Sequence, residues 1–146
     1  MATWSDVRRI VRSLPDTAEK TASSGTAAWT VHGKSFAWER PLRKSDLAAL
    51  GNQAPTGPIL GIRTADLEMK EALLGADPTV YFTTPHFDGY AAVLVDLTKI
   101  RTAALRQVLV ESWLARAPRK RAEIFLASRN PRRAHGVLRS AVEGET

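Results

Sequence analysis

A β-hairpin predicted over residues 27–40, AAWTVHGKSFAWER, constrains the fold more than any other stretch of the chain. Trp29 and Val31 alternate with smaller or polar residues, which is the period-two pattern of a half-buried strand. His32-Gly33 is suited to a two-residue turn, because Gly adopts positive φ freely and His is enriched there among the other residues. The two strands of the hairpin therefore present apolar side chains on one face.

The register of this hairpin has two alternatives. With the two-residue turn, Trp29 faces Phe36 and Ala27 faces Trp38, whereas a four-residue loop pairs Val31 with Phe36 and Trp29 with Trp38. Both alternatives place Trp29, Phe36 and Trp38 on the same face. Burial of each large side chain contributes roughly 1.5–3 kcal/mol, so we expect the rest of the chain to pack on this face.

The remaining hydrophobic patterns predict one α+β domain over residues 1–128, followed by a basic, loosely structured C-terminal extension over residues 129–146. The expected architecture is an N-terminal helix, an antiparallel β-sheet with hairpin wings, and C-terminal helices packed on one face. Further strands are predicted at about 20–23, 59–63, 80–82 and 91–95. Helices are predicted over about 5–14, 45–50, 64–74, 96–115 and 119–128.

Specific positions follow from these patterns. Ser5 or Asp6 is expected to cap the first helix, and Asp96 or Thr98 to begin the long helix near the C-terminus. Gly75 is expected at a helix C-cap. The predicted helix over 64–74 offers Leu67, Met69, Ala72, Leu73 and Leu74 to the core. The side chains expected to be mostly buried are Trp29, Phe36, Val93, Leu105, Leu109 and Trp113.

Composition excludes several classes of function. The chain has no cysteine, which rules out disulfides, thiolate catalysis and Cys-ligated zinc. No apolar run approaches the roughly 20 residues of a membrane span, and the N-terminus is too polar for a signal peptide. We therefore expect a soluble cytoplasmic protein with no membrane partner. The three scattered histidines and the absence of a Gly-rich phosphate loop predict no bound metal and no organic cofactor.

Positive charge is concentrated at the C-terminal end. Residues 101–140 contain ten Lys/Arg against only Glu111 and Glu123, a net charge of +8, whereas residues 1–100 are balanced at 11 of each sign. Such a surplus is typical of a surface that contacts nucleic-acid phosphates, although a solvated basic helix face has the same composition. The candidate nucleic-acid-binding residues are Lys34 at the hairpin tip and Arg116, Arg119, Lys120, Arg121, Arg132 and Arg133.

Candidate catalytic residues are few. His86, Asp88 and Tyr90 lie close together in one predicted loop, and with His32 they could form an acid–base pair or a metal site. The His-x-Asp pattern is short and common, however, and no third metal ligand is identified. We expect a structural or surface role for this loop and no catalytic residues.

Three segments resemble the MmcQ/YjbR family. They are Arg12-Ser13-Leu14-Pro15 at the end of the first helix, VHGKSFA over residues 31–37, and VYFTTPHFDGY over residues 80–90, which precedes a strand and a helix. The resemblance spans residues 4 to about 117. It implies a fold related to frataxin-like proteins and a double-wing DNA-binding motif, with the His32-Gly33-Lys34 turn as a wing. It does not imply iron binding, since the first helix carries arginines in place of an acidic ridge.

Three hypotheses for the function follow. The first is a non-enzymatic DNA-binding protein of low sequence specificity, which uses the basic C-terminal region and the hairpin wing. The second is a small protein- or ligand-binding module, and the third is an enzyme. Because phosphate contacts position a protein without reading sequence, the first hypothesis predicts weak binding to every DNA sequence.

Overall fold

The computed structural model describes residues 1–129, which divide into a first unit of residues 1–116 and a second unit that begins at residue 117. The strands are β1 Thr17–Thr21, β2 Ala27–Val31, β3 Lys34–Glu39, β4 Ile59–Arg63, β5 Tyr81–Phe82 and β6 Ala92–Asp96. The helices are α1 Trp4–Arg12, α2 Lys44–Leu50, α3 Leu67–Ala76, α4 Thr102–Arg116 and α5 Arg119–Arg129. Two short 3₁₀ turns lie at Gly51–Gln53 and Pro85–Phe87.

The first unit is built on a six-stranded antiparallel sheet with the order β1-β2-β3-β4-β6-β5. Helix α4 packs on β3 and β4, and α1 packs on α4. The predicted α+β class, with an N-terminal helix, an antiparallel sheet and C-terminal helices, is confirmed. Helix α5 belongs to the second unit, and the predicted domain end at residue 128 stays a prediction.

The predicted hairpin is present, but its register contains a bulge. Val31 pairs with Lys34 across the two-residue turn, as predicted. Between Trp29 and Thr30 the register shifts, so that Trp29 pairs with Ala37 and Phe36 has no partner on β2. A β-bulge of this kind adds one residue to one strand, so the side chains of that strand beyond the bulge move to the opposite face of the sheet.

The bulge moves Trp38 to the opposite face of the sheet. Trp38 pairs with Ala28 on one side and with Gly61 on the other, whereas Trp29 pairs with Ala37, one position away. Because neighbouring positions of a strand point to opposite faces, Trp38 and Trp29 lie on different faces. The prediction that all three hairpin aromatics share a face is therefore wrong for Trp38.

Both faces of the sheet are consequently packed. The six side chains predicted to be buried are each at most 1% exposed: Trp29, Phe36, Val93, Leu105, Leu109 and Trp113. On the other face, Trp38 packs with a second cluster that contains Ile59, Phe82, Phe87, Ala92 and Leu94. Gly61 makes room for the Trp38 indole, because a Cβ at this position would overlap the ring.

Helix ends differ from the predictions in identifiable ways. Thr3, not Ser5 or Asp6, caps α1, and Asp6 completes a capping box three positions later. Helix α4 begins at Thr102, because Asp96 Oδ1 instead accepts hydrogen bonds from the amide and hydroxyl of Thr98 and forms a turn. Gly75 lies inside α3, and Asp77 is the C-cap.

Helix α3 also presents a different face to the protein than predicted. Leu67 and Met69 are 49% and 39% exposed, whereas Lys70 is buried. The lysine is buried because its ammonium group donates to two backbone carbonyls, as described below.

Within residues 1–129, no helix combines the length and the apolar character needed to cross a bilayer.

Candidate nucleic-acid interface

The hairpin turn places the first predicted site residue. His32 and Gly33 have φ values of 50° and 82°, the positive pair that a type I′ turn requires. Lys34 follows at the first position of β3 and is exposed. The turn therefore holds a cationic side chain at the tip of the hairpin.

Arg116 is brought to this hairpin from the far end of α4. Its Nε donates a 3.2 Å hydrogen bond to the carbonyl oxygen of Ser35, although the two residues are 81 positions apart in sequence. Helix α4 packs on β3, and Arg116 is its last residue. The structure thus brings together Lys34 and Arg116, two of the predicted site residues.

Arg63 is a third cation at this end of the sheet and is not one of the site residues predicted from the sequence. Arg63 ends β4, whose Ile62 pairs with Ala37, so it lies at the end of the sheet where β3 begins. Burial lowers the pKa of Arg63, and the nearby charge of Arg116 lowers it further. The only signal in the sequence is that a charged residue ends the otherwise apolar strand ILGIR.

We call Lys34, Arg63 and Arg116 the basic corner. Among the residues that the structure describes, no carboxylate lies within ion-pair distance of any of the three. Adjacent cations without counter-ions repel one another, and an anion placed among them relieves that repulsion. The basic corner can therefore accept a phosphate oxygen or a carboxylate.

The other predicted contacts belong to the second unit or lie outside the described residues. Arg119, Lys120 and Arg121 are exposed in the first turn of α5. Arg119 Nε is 3.3 Å from Glu123 Oε1, and the two side chains are 95% and 65% exposed, so this pair competes weakly with a phosphate. Arg132 and Arg133 lie outside the described residues.

The loop that contains His86, Asp88 and Tyr90 does not form an enclosed cluster. All three side chains are exposed, Tyr90 by 59%. The His86 ring packs edge-on against Phe87, with 4.8 Å between ring centroids. Within residues 1–129, no group of three His, Cys, Asp or Glu side chains could hold a metal ion.

Lys70 gives this loop its shape. Its Nζ donates to the carbonyl oxygens of Phe87 at 2.6 Å and Tyr90 at 2.9 Å. Burial lowers the pKa of Lys70, although the charges of Asp88 and Glu71 partly oppose that effect. Each of these carbonyl oxygens also accepts a backbone hydrogen bond, from the amides of Tyr90 and Ala92, so Lys70 adds a second bond to both and ties the loop to α3.

A buried ion pair supports the same face of the sheet. Arg40 Nη1 lies 3.0 Å from Asp46 Oδ2, and the two side chains are only 7% and 2% exposed. The Arg40 guanidinium also lies over the Phe87 ring, 5.2 Å from its centroid. Burial alone would raise the pKa of Asp46, but the Arg43 amide and the Arg40 charge outweigh it and lower the pKa.

Comparison with known sequences identifies the family. The YjbR family profile matches residues 12–115, which include the hairpin, the loop and most of α4. The chain belongs to the YjbR family. Among its relatives are the uncharacterised proteins Rv2570 of Mycobacterium tuberculosis and Mb2600 of Mycobacterium bovis. Each is 50% identical over 131 residues, which cover 88% of this chain and 98% of the relative.

A solved structure agrees with the YjbR fold. The chain superposes on the crystal structure of the Deinococcus radiodurans protein DR2400, which contains a DUF419 domain, with a TM-score of 0.58. The match covers 78% of each chain at 23% identity, so it establishes the fold. The resemblance noted from sequence motifs is thus confirmed at the level of family and fold.

Proposed function

We propose that this YjbR-family protein is a non-enzymatic DNA-binding protein that contacts phosphates with little sequence preference. The observation that carries the proposal is the position of Arg116, which is hydrogen-bonded to the hairpin backbone beside Lys34. Arg63 adds a third cation there, and no described carboxylate pairs with the three. This arrangement suits the phosphate backbone, which supplies most of the affinity in non-specific binding.

The sequence after Arg116 also carries a surplus of positive charge. Arg119, Lys120 and Arg121 follow Arg116 after two intervening residues, Ala117 and Pro118, and all three are exposed. Arginine donates up to five N–H groups in a planar fork that matches phosphate oxygens. In this proposal α5 and the basic corner contact phosphates, and Lys34 at the hairpin tip reaches into a groove.

The proposal predicts how neutralising α5 alters binding. Replacing Arg119, Lys120 and Arg121 by Ala should weaken binding to every DNA sequence similarly. If all three contact phosphates, the slope of log K against log salt should fall in magnitude by about 2.7, since each contact contributes about 0.9. Lys34→Ala should change any sequence preference more than it changes this slope.

A charge-matched variant separates a specific surface from net charge. Lys20, Lys44 and Lys99 are exposed lysines in the electrically balanced first hundred residues, and replacing them by Ala removes the same three positive charges. The proposal requires this variant to keep most of the wild-type slope. Equal losses in the two variants, or an unchanged slope in the α5 variant, would mean that α5 is a solvated helix face.

A further inference from the structure

A cavity of about 290 Å³ lies between α3, α4 and the sheet within the first unit. Its walls are mostly apolar and include Ile62, Leu73, Tyr81 and Val108. Met69 also lines it and is 39% exposed, so apolar surface of α3 at this cavity is left uncovered by protein. Small-molecule sites are typically apolar cavities with a few polar groups that fix the orientation of the ligand.

Arg63 supplies such a polar group. It lines the cavity, and its Nε is buried without a hydrogen-bond partner among the described residues. A buried donor without a partner is unfavourable, and here the donor belongs to a cation that also lies near Arg116. Arg63 as a whole is only partly buried, and a carboxylate in the cavity that pairs with its guanidinium would relieve the repulsion between the two arginines.

The other polar lining residues favour a monoanion. Glu111 lines the same cavity on α4, and its carboxylate repels any anion there, a dianion more strongly than a monoanion. The Ser112 hydroxyl already donates to the Val108 carbonyl oxygen at 2.8 Å. A ligand that fits these surroundings has one carboxylate and an apolar body.

We infer that this cavity binds a small monocarboxylic acid, whose carboxylate pairs with Arg63 while its apolar chain packs against Leu73 and Val108. This inference goes beyond DNA binding, because it concerns a different ligand and a cavity that α5 does not line, although Arg63 belongs to both the cavity and the basic corner. It also names a chemical class of ligand for the second hypothesis drawn from the sequence, that of a small ligand-binding module.

The test titrates octanoate, as the probe, into the full chain. Binding is measured by isothermal titration calorimetry and by amide chemical shifts. Wild type should bind octanoate saturably, with a dissociation constant on the order of 1 mM or below, and at least tenfold more tightly than octan-1-ol. Shifts should be largest around Leu73 and Val108. Equal affinity for the acid and the alcohol, or no saturable shift at these residues, would overturn the inference without any substitution.

Two variants and a matched control sharpen the test. Arg63→Gln should weaken octanoate binding at least tenfold and change octan-1-ol binding less than twofold, whereas Val108→Trp should abolish both by filling the cavity. Arg106→Gln removes the same charge from an exposed position of α4 outside the cavity lining and should change neither. Replacement of the α5 cations should leave octanoate binding intact, so failure of this inference is distinguishable from failure of DNA binding.

Discussion

The buried pair of Arg40 and Asp46 makes a quantitative prediction about stability. Asp46→Asn removes the charge that lies 3.0 Å from Arg40 and leaves a cation whose side chain is 7% exposed. Arg40 Nη2 already lacks a partner, and Nη1 retains only the Pro41 carbonyl oxygen. Breaking a buried pair from one side costs about 3–5 kcal/mol, so the free energy of unfolding should fall by that amount.

Urea denaturation at neutral pH, followed by tryptophan fluorescence, measures this change. With an m-value of about 2 kcal/mol/M, a loss of about 4 kcal/mol lowers the midpoint by roughly 2 M. Glu123→Gln breaks the exposed pair with Arg119 and should cost less than about 1 kcal/mol. The double variant Arg40→Met/Asp46→Leu should recover most of the loss, because no buried charge remains. A loss below about 1 kcal/mol for Asp46→Asn would refute the reasoning.

The remaining predictions concern pH and three glycines. The pKa of Asp46 is lowered below its ordinary value of 3.8, so the ion pair stabilises the fold above pH 3.8. This stabilisation is lost as the pH falls through the pKa of Asp46 in the folded protein. In urea titrations at several pH values, Asp46→Asn should therefore lose less stability on acidification than the wild type. Gly61→Ala should destabilise the fold by about 1–3 kcal/mol, because the added Cβ overlaps Trp38. Gly75→Ala lies at an open helical position and should stabilise the fold by about 0.5–1 kcal/mol. Similar urea midpoints for the two variants would contradict this expectation. Gly33→Ala should destabilise because φ is 82°, by more than about 0.4 kcal/mol in thermal or urea unfolding, and no loss would argue against the type I′ turn.

The sequence predicted the elements whose pattern is local. The alternation in Ala27–Val31 and the His32-Gly33 turn predicted the hairpin, and the core positions of α4 followed from helical spacing. The bulge opposite Trp29 was not predictable in this way, since it depends on how β3 must twist to pair with both β2 and β4. One extra residue was enough to move Trp38 to the other face.

The site was predicted less completely, because its members meet through tertiary packing. Lys34 followed from the turn, but the contact of Arg116 with Ser35 depends on the packing of α4 on the sheet. Lys70 was not among the α3 residues predicted in the core, yet two carbonyls that are distant in sequence hold it in the interior. Arg63 belongs to no sequence motif, and only its nearness to Arg116 in the folded structure identifies it as a site residue.

A salt titration of DNA binding by the wild-type chain tests the central claim most directly. Labelled duplexes of two unrelated sequences are titrated at several salt concentrations between about 50 and 200 mM. We predict the same affinity for both duplexes, with dissociation constants on the order of 10⁻⁴–10⁻⁶ M at physiological salt and a linear fall of log K with log salt. No detectable binding at about 50 mM salt, or binding that does not depend on salt, would contradict phosphate contacts by the basic corner and α5.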